Sequence, residues 1–408
     1  MYRDGVTEVL LIVGILVAVF VGYNIGGATT GVSFGPAVGA QVLSTLGAAV
    51  LMSIFFFLGG WLIGPAVVET LGEDLIAEEG FMTLETGIAI LFFIGFALFF
   101  GNLFGVPAST SMTAVGAIAG LGLATGTLNW ATMGEVVSWW VVAPIVAFWI
   151  SGVIGRYFYP TINEWVAISR RETHLWVVDR SGTFPRVSAA DGTDRRELTG
   201  SLIVVAIGCY MAFSSGASNV ANAVAPLVGS GALEFEAGVL ATFSNMEWGV
   251  IIAGVAVTIG AFTIARRTLE TMGNDITNLP LTAAVVVMTV SATIVTVLSA
   301  IGIPVQLVIV ATMSIIGLGW GRATRTTTVS DAVRGREEAA VSVGALTAEK
   351  EGETVPEIGE EEPTDIPRAS QLFDPSTTAR VILIQNFVPV LATIGAYLTF
   401  RFVPVFGF

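Results

Sequence analysis

The chain has 408 residues, of which 54% are hydrophobic and 12% charged; soluble domains carry roughly a quarter charged residues, so a soluble globular protein is excluded and an integral membrane protein is expected. The net charge of -14 sits in a few polar stretches, and 18 Lys and Arg against 32 Asp and Glu leave no basic surface for nucleic acid. Cys209 is the single cysteine, which rules out an intramolecular disulfide and a cysteine metal site.

A helix needs about 20 apolar residues to cross ~30 Å of hydrocarbon. Runs of this kind fall near 6–27, 38–66, 85–104, 105–125 and 134–158, then near 199–225, 238–265, 281–300, 304–321 and 379–403. The expected fold class is therefore an all-α polytopic membrane protein. The first run resembles a signal h-region in part, but no small-residue cleavage site follows it, and it reads as a retained span. Residues 1–158 form a first transmembrane repeat and 199–321 a second, with 377–408 as the last span. Between the repeats, 159–198 is a cytosolic linker in which Leu175 to Val187 places two β-prone runs around Ser181-Gly182, predicting a small hairpin. Residues 322–376, rich in Glu, Thr, Gly and Pro, are predicted to be a disordered cytosolic loop.

The halves repeat one another. Gly26-Gly27-Ala28-Thr29-Thr30-Gly31-Val32-Ser33-Phe34-Gly35-Pro36 returns at an offset of 190 as Gly216-Ala217-Ser218-Asn219-Val220-Ala221-Asn222-Ala223-Val224-Ala225-Pro226. Val68-Glu69-Thr70-Leu71-Gly72-Glu73-Asp74 returns as Leu269-Glu270-Thr271-Met272-Gly273-Asn274-Asp275, and Gly105-Val106-Pro107 as Gly302-Ile303-Pro304. Repeated Gly- and Pro-interrupted apolar segments predict a secondary transporter of two repeats of about five spans each, with its site at their interface. The polar runs around Gly26 and Gly216 are expected to be broken helices near the midplane, since irregular backbone survives there only inside protein or along a cavity.

Charge placement predicts that the repeats are inverted. The segment 67–84 carries Glu69, Glu73, Asp74, Glu78 and Glu79, whereas its counterpart carries Arg266 and Arg267, and basic loops stay cytoplasmic. With ten spans, both termini fall outside the plasma membrane and the large loops inside. Gly-rich faces such as Gly35 to Gly39 permit close packing within one chain or between two, so a homodimer stays open.

At these motifs the chain resembles the inorganic phosphate transporter (PiT) family, which includes a sulfate permease branch. One family hallmark is Gly-Ala-Asn-Asp-x-Ala-Asn in each half, which Gly216-Ala217-Ser218-Asn219-Val220-Ala221-Asn222 resembles. Another is Pro-Val-Ser-Thr-Thr-His, which Pro107-Ala108-Ser109-Thr110-Ser111-Met112-Thr113 resembles. The departures are marked. The family's first Asn-Asp pair falls on Ala28 and Thr29, its second on Ser218 and Asn219, and the second Ser-Thr-Thr-His on Gln306, Leu307, Val308 and Ile309. The polar hairpin of the first half and the Asn-rich helix of the second are thus expected to face one another across one asymmetric anion site.

An oxyanion at membrane depth needs donors in place of water, and Ser109, Thr110, Ser111, Thr113, Ser218, Asn219 and Asn222 supply them, with helix N-termini adding positive partial charge. These are the candidate substrate ligands. Any one Ser or Thr among them has an alternative role as a back-bonding or helix-packing residue. Thr29, Asn219 and Glu247 are the candidates for the coupling ion, sodium or proton, Glu247 because an acid within a span is functional by default, with a neutral, hydrogen-bonded Glu in helix packing beside Asn245 as the alternative. The resemblance implies an ion-coupled permease for inorganic phosphate. The missing carboxylates keep sulfate as an alternative, and the decayed half-motifs keep a transport-dead sensor or assembly partner as another. No nucleophile with a base, no metal cluster and no nucleotide loop is present, so neither an enzyme nor a cofactor is expected.

Overall fold

The computed structural model describes residues 2–78, 80–103, 109–159, 161–162, 176–179, 186–189, 195–235, 239–275, 281–326 and 375–406. Among them, seven helices are long and apolar enough to cross a membrane, and Thr110–Thr125, Leu307–Arg322 and Phe387–Phe402 are shorter apolar helices. Together they occupy all ten of the apolar runs. Their outward faces are those of a lipid-solvated protein: Val141, Ile145, Trp149 and Val153, one turn apart on a single helix, are all exposed.

The first half comprises α1 (Tyr2–Gly39), α2 (Thr45–Leu62), the short α3 (Gly64–Glu69), α4 (Leu84–Leu103), α5 (Thr110–Thr125) and α6 (Trp130–Val153). The second comprises α7 (Arg195–Gly229), α8 (Asn245–Asp275), α9 (Leu281–Ala300), α10 (Leu307–Thr326) and α11 (Pro375–Phe402). In the linker, Trp176–Asp179 pairs antiparallel with Arg186–Ala189, Trp176 opposite Ala189. Its Ser181-Gly182 turn and nearly all of the acidic segment 322–376 lie outside the described residues.

The halves interlock by exchange. Helix α1 packs on α8 and α7 on α2, while α5 packs on α11 and α10 on α6. Glycines make the first of these exchanges possible. A methyl group at Gly26 would overlap the backbone oxygen of Val257, and one at Gly260 that of Tyr23; at the other crossing, Gly216 meets Phe56 and Gly59 meets Phe213 in the same way. Gly26 and Gly216 are 190 apart, as are Tyr23 and Phe213, whereas Gly59 and Gly260 are 201 apart, as are Phe56 and Val257. Both crossings therefore use equivalent positions, and backbones touch where side chains would hold them apart.

This corrects the expected position of the helix breaks. Helices α1 and α7 run unbroken through Gly26 and Gly216. Their polar side chains bond back along the helix: Thr29 Oγ1 donates to the Ile25 carbonyl at 2.8 Å, Thr30 Oγ1 to Gly26 at 2.7 Å and Asn219 Nδ2 to Ser215 at 2.9 Å. These three side chains are thus satisfied by their own helix, and the glycines serve close approach rather than unwinding. The breaks lie between α4 and α5 and between α9 and α10. In the second, Gly302 has φ 81° and residues 303–306 are not helical. Of the first, Gly105, Val106 and Pro107 lie outside the described residues.

Two further boundaries differ from expectation. Helix α2 starts at Thr45, with Ser44 accepting from Gly47 N at 3.1 Å, after a turn in which Gln41 has φ 58°. Helix α8 starts at Asn245, so Glu247 lies in its first turn, at the start of the candidate span Asn245–Ile264 and not in its interior. The Glu247 carboxylate accepts from Ser244 N at 2.8 Å and Ser244 Oγ at 3.0 Å, while Ser244 Oγ accepts from Glu247 N at 3.2 Å. That is a capping box, which gives Glu247 a structural role at the start of the helix. Glu247→Gln is expected to leave transport unchanged and to lower the melting temperature slightly, by the loss of about 0.5–1 kcal/mol of capping; a fall in uptake beyond twofold would restore it as a coupling residue.

Candidate functional site

Helices α5 and α10 both begin at the hairpin breaks, and their N-termini meet beside the middle of α1 and α7. Ser109 is the N-cap of α5, its Oγ accepting from Met112 N at 3.3 Å. Gln306 precedes α10, its carbonyl accepting from Val310 N at 3.2 Å. A cavity of about 30 Å³ lies between them, lined by Ala28, Thr29, Val32, Ser109, Thr110, Asn219, Gln306, Leu307 and Val308. That is space for two or three water molecules, which need roughly 10–15 Å³ each on this measure, the scale of a small anion that has shed its hydration. Two elements come from each half. None of the lining residues is charged, and two helix N-termini with free N–H groups face the same space.

The predicted site residues occupy different positions around this space. Ser109, Thr110, Asn219 and Thr29 line the cavity. Thr110 Oγ1 donates to Asn219 Oδ1, joining α5 to α7 directly. Asn222 lies one turn further along α7 and Ser111 next to Thr110: Asn222 Nδ2 donates to Asn219 Oδ1 at 3.0 Å and to Ser111 Oγ at 3.3 Å, and its own Oδ1 has no partner among the described residues. Ser218 and Ser111 face the second hairpin, both donating to the Val305 carbonyl, at 3.2 and 3.0 Å. Thr113 is fully buried and donates to the Ser109 carbonyl at 2.6 Å; it holds the first turn of α5 and does not reach the cavity. Glu247 is at the start of α8 and outside this cluster.

The first hairpin and the Asn-rich helix therefore do face one another, through neutral hydrogen bonds, and Val305 ties the second hairpin to both. The lining residue that motif reasoning passed over is Gln306. It appeared only as a departure from a Ser, although a lone carboxamide within Ile303-Pro304-Val305-Gln306-Leu307-Val308 is itself a signal, because polar groups at membrane depth are costly and functional by default.

Fold and site together define a multi-pass helical membrane transporter. The sequence profile of the phosphate transporter family matches residues 25–347, most of the chain, and this protein belongs to that family. The chain is 30% identical over 309 residues to the sulfate permease CysP of Bacillus subtilis (strain 168), covering 76% of this chain and 77% of that protein. It is 23% identical over 364 residues to a putative phosphate permease of Pyrococcus furiosus, covering 78% and 88% respectively. A solved structure titled "The sodium-dependent phosphate transporter" superposes with a TM-score of 0.64 at 17% identity, covering 97% of this chain and all of that one, a likeness of fold.

Proposed function

We propose that the protein is an ion-coupled permease for inorganic phosphate, not an enzyme, and that it works by alternating access between two inverted halves. The observation that carries this reading is the neutral cavity at the meeting of the two hairpin N-termini, with Ser109 and Thr110 of one half opposite Asn219 and Gln306 of the other. Aligned N–H groups there stabilise an anion without a fixed cation, so the anion can leave as well as enter. A hairpin that returns to its own side does not alter the count of crossings, so termini outside and large loops inside remain consistent with the charges.

Sulfate is the second reading, favoured by the absence of any carboxylate among the lining residues and by the relative named as a sulfate permease. For the coupling ion, Thr29 lines the cavity and Asn222 Oδ1 is an unpaired neutral acceptor among the described residues, and neutral oxygens of both kinds suit sodium. Radiolabelled phosphate uptake into proteoliposomes, with excess sulfate as competitor and sodium or proton gradients imposed separately, tests these points. Saturable phosphate uptake that resists sulfate supports the leading reading, and uptake abolished by sulfate supports the second. A protein that binds and moves neither anion under any gradient is the transport-dead alternative. Ser109→Ala should reduce uptake about threefold to tenfold, since it removes the hydroxyl donor and an N-cap worth about 1 kcal/mol, without preventing insertion.

A further inference from the structure

We propose that Gln306 is the substrate ligand that selects for an oxyanion still carrying a proton. The inference rests on the oxyanion-permease reading and names the group that sets its selectivity.

Most polar side chains at the cavity are already committed. Asn219 Oδ1 accepts from both Thr110 and Asn222, and its Nδ2 donates to Ser215 O and Oγ, at 2.9 and 3.1 Å. The Thr29 hydroxyl donates to Ile25 and that of Thr110 to Asn219. Ser109 Oγ accepts from Met112 N, which leaves its proton for the cavity. Gln306 differs from all of these. It is 6% exposed, and neither its Nε2 nor its Oε1 has a hydrogen-bond partner among the described residues. A buried carboxamide unpaired at both ends is costly and calls for a partner. Because its carbonyl caps α10 through Val310 N, the backbone fixes where the side chain starts.

The edge of a carboxamide presents one donor and one acceptor side by side. Hydrogen phosphate presents the complement, a P–OH beside a P–O⁻, and both ends of Gln306 are satisfied at once. Sulfate at neutral pH presents acceptors only. With sulfate bound, Oε1 either faces oxygen lone pairs or turns towards the apolar lining of Ala28, Val32, Leu307 and Val308, unpaired in both cases. A site built to pair a substrate hydroxyl rejects the analogue lacking it more strongly than an apolar pocket could. Gln306 thus supplies, without charge, the acceptor that the missing motif carboxylates would otherwise provide.

Equilibrium binding of phosphate, arsenate and sulfate to the purified full chain tests this, in the wild type and in Gln306→Met and Gln306→Glu. The wild type is expected to bind phosphate and arsenate at least about tenfold tighter than sulfate. Gln306→Met, similar in volume and without either polar end, should weaken phosphate about tenfold or more and sulfate less than about threefold, so the preference narrows. Gln306→Glu keeps the acceptor and should lose sulfate more than phosphate, which separates ligation from mere support of the fold should the Met variant prove unstable. Equal losses for both anions in the Met variant, no loss in either, or a wild-type preference for sulfate would overturn the proposal. A wild-type protein that binds none of the three anions sinks the oxyanion reading itself, and this one with it.

Discussion

Asn219→Ala is expected to lower uptake at least about tenfold while leaving the protein inserted and monodisperse. Asn219 Oδ1 is the shared acceptor for Thr110 of α5 and Asn222 of α7, so truncation removes the acceptor of the half-buried Thr110 hydroxyl and one of the two acceptors of the buried Asn222 amide. Each unpaired group costs about 1–3 kcal/mol; the Thr110 loss falls on the link between the first hairpin and the opposite half, and the Asn222 loss falls within α7 beside it. The effect should be greater than that of Thr110→Val, which leaves Asn219 still accepting from Asn222. A double-mutant cycle checks the assignment: Thr110→Val should cost less in the Asn219→Ala background than in the wild type, because the orphaned hydroxyl is already a liability there. Additive losses would mean that the two residues act separately and that α5 and α7 are not joined at the site.

Gly216→Val is expected to prevent assembly. Any Cβ at Gly216 overlaps the backbone oxygen of Phe56, and a neighbour that is backbone cannot rotate away, so helices α2 and α7 must separate along the crossing. Overpacking ordinarily costs about 1–3 kcal/mol, and here it also breaks the contact at Gly59 with Phe213 a turn away. Even Gly216→Ala should lower the melting temperature by several degrees in a detergent-solubilised thermal shift assay. Gly134→Ala is the control. It lies in α6, a Cβ there meets nothing within 4 Å, and alanine favours the helix by up to about 1 kcal/mol. A Gly216→Ala protein as stable as the Gly134→Ala protein would show that the crossing is looser than described.

Much of this was readable from sequence because hydropathy and repetition are both local in the chain. The ten apolar runs became ten apolar helices, and the opposition of the Ser109 to Ser111 segment to Asn219 and Asn222 followed from which half-motif had stayed polar. Two things were not readable. Glycine next to Thr, Ser or Asn has two uses at membrane depth, unwinding a helix or admitting a neighbouring backbone, and only the partner decides between them; Val257 and Phe56, distant in sequence from Gly26 and Gly216, settle it in favour of approach. The position of Glu247 depended on where α8 begins, a matter of the Ser244 cap rather than of hydropathy, because the apolar run extends well before the helix. Gln306 was overlooked for a different reason. A residue that departs from a family's pattern reads as loss until its unpaired amide is seen at the cavity.

The exchange of partners between halves also sets an order of events in biosynthesis. Gly26 leaves the ribosome 219 residues before Asn245, the first residue of the helix that must cover it. At about 5–20 residues per second, α1 waits roughly 10–45 seconds in the bilayer with its notch filled by lipid. Helix α2 waits less, because Gly59 precedes its partner Phe213 by 154 residues, roughly 8–31 seconds at the same rate. Both crossings must therefore displace lipid from a waiting glycine notch, the first later than the second, making α1 the segment most dependent on whatever shelters unfinished membrane proteins.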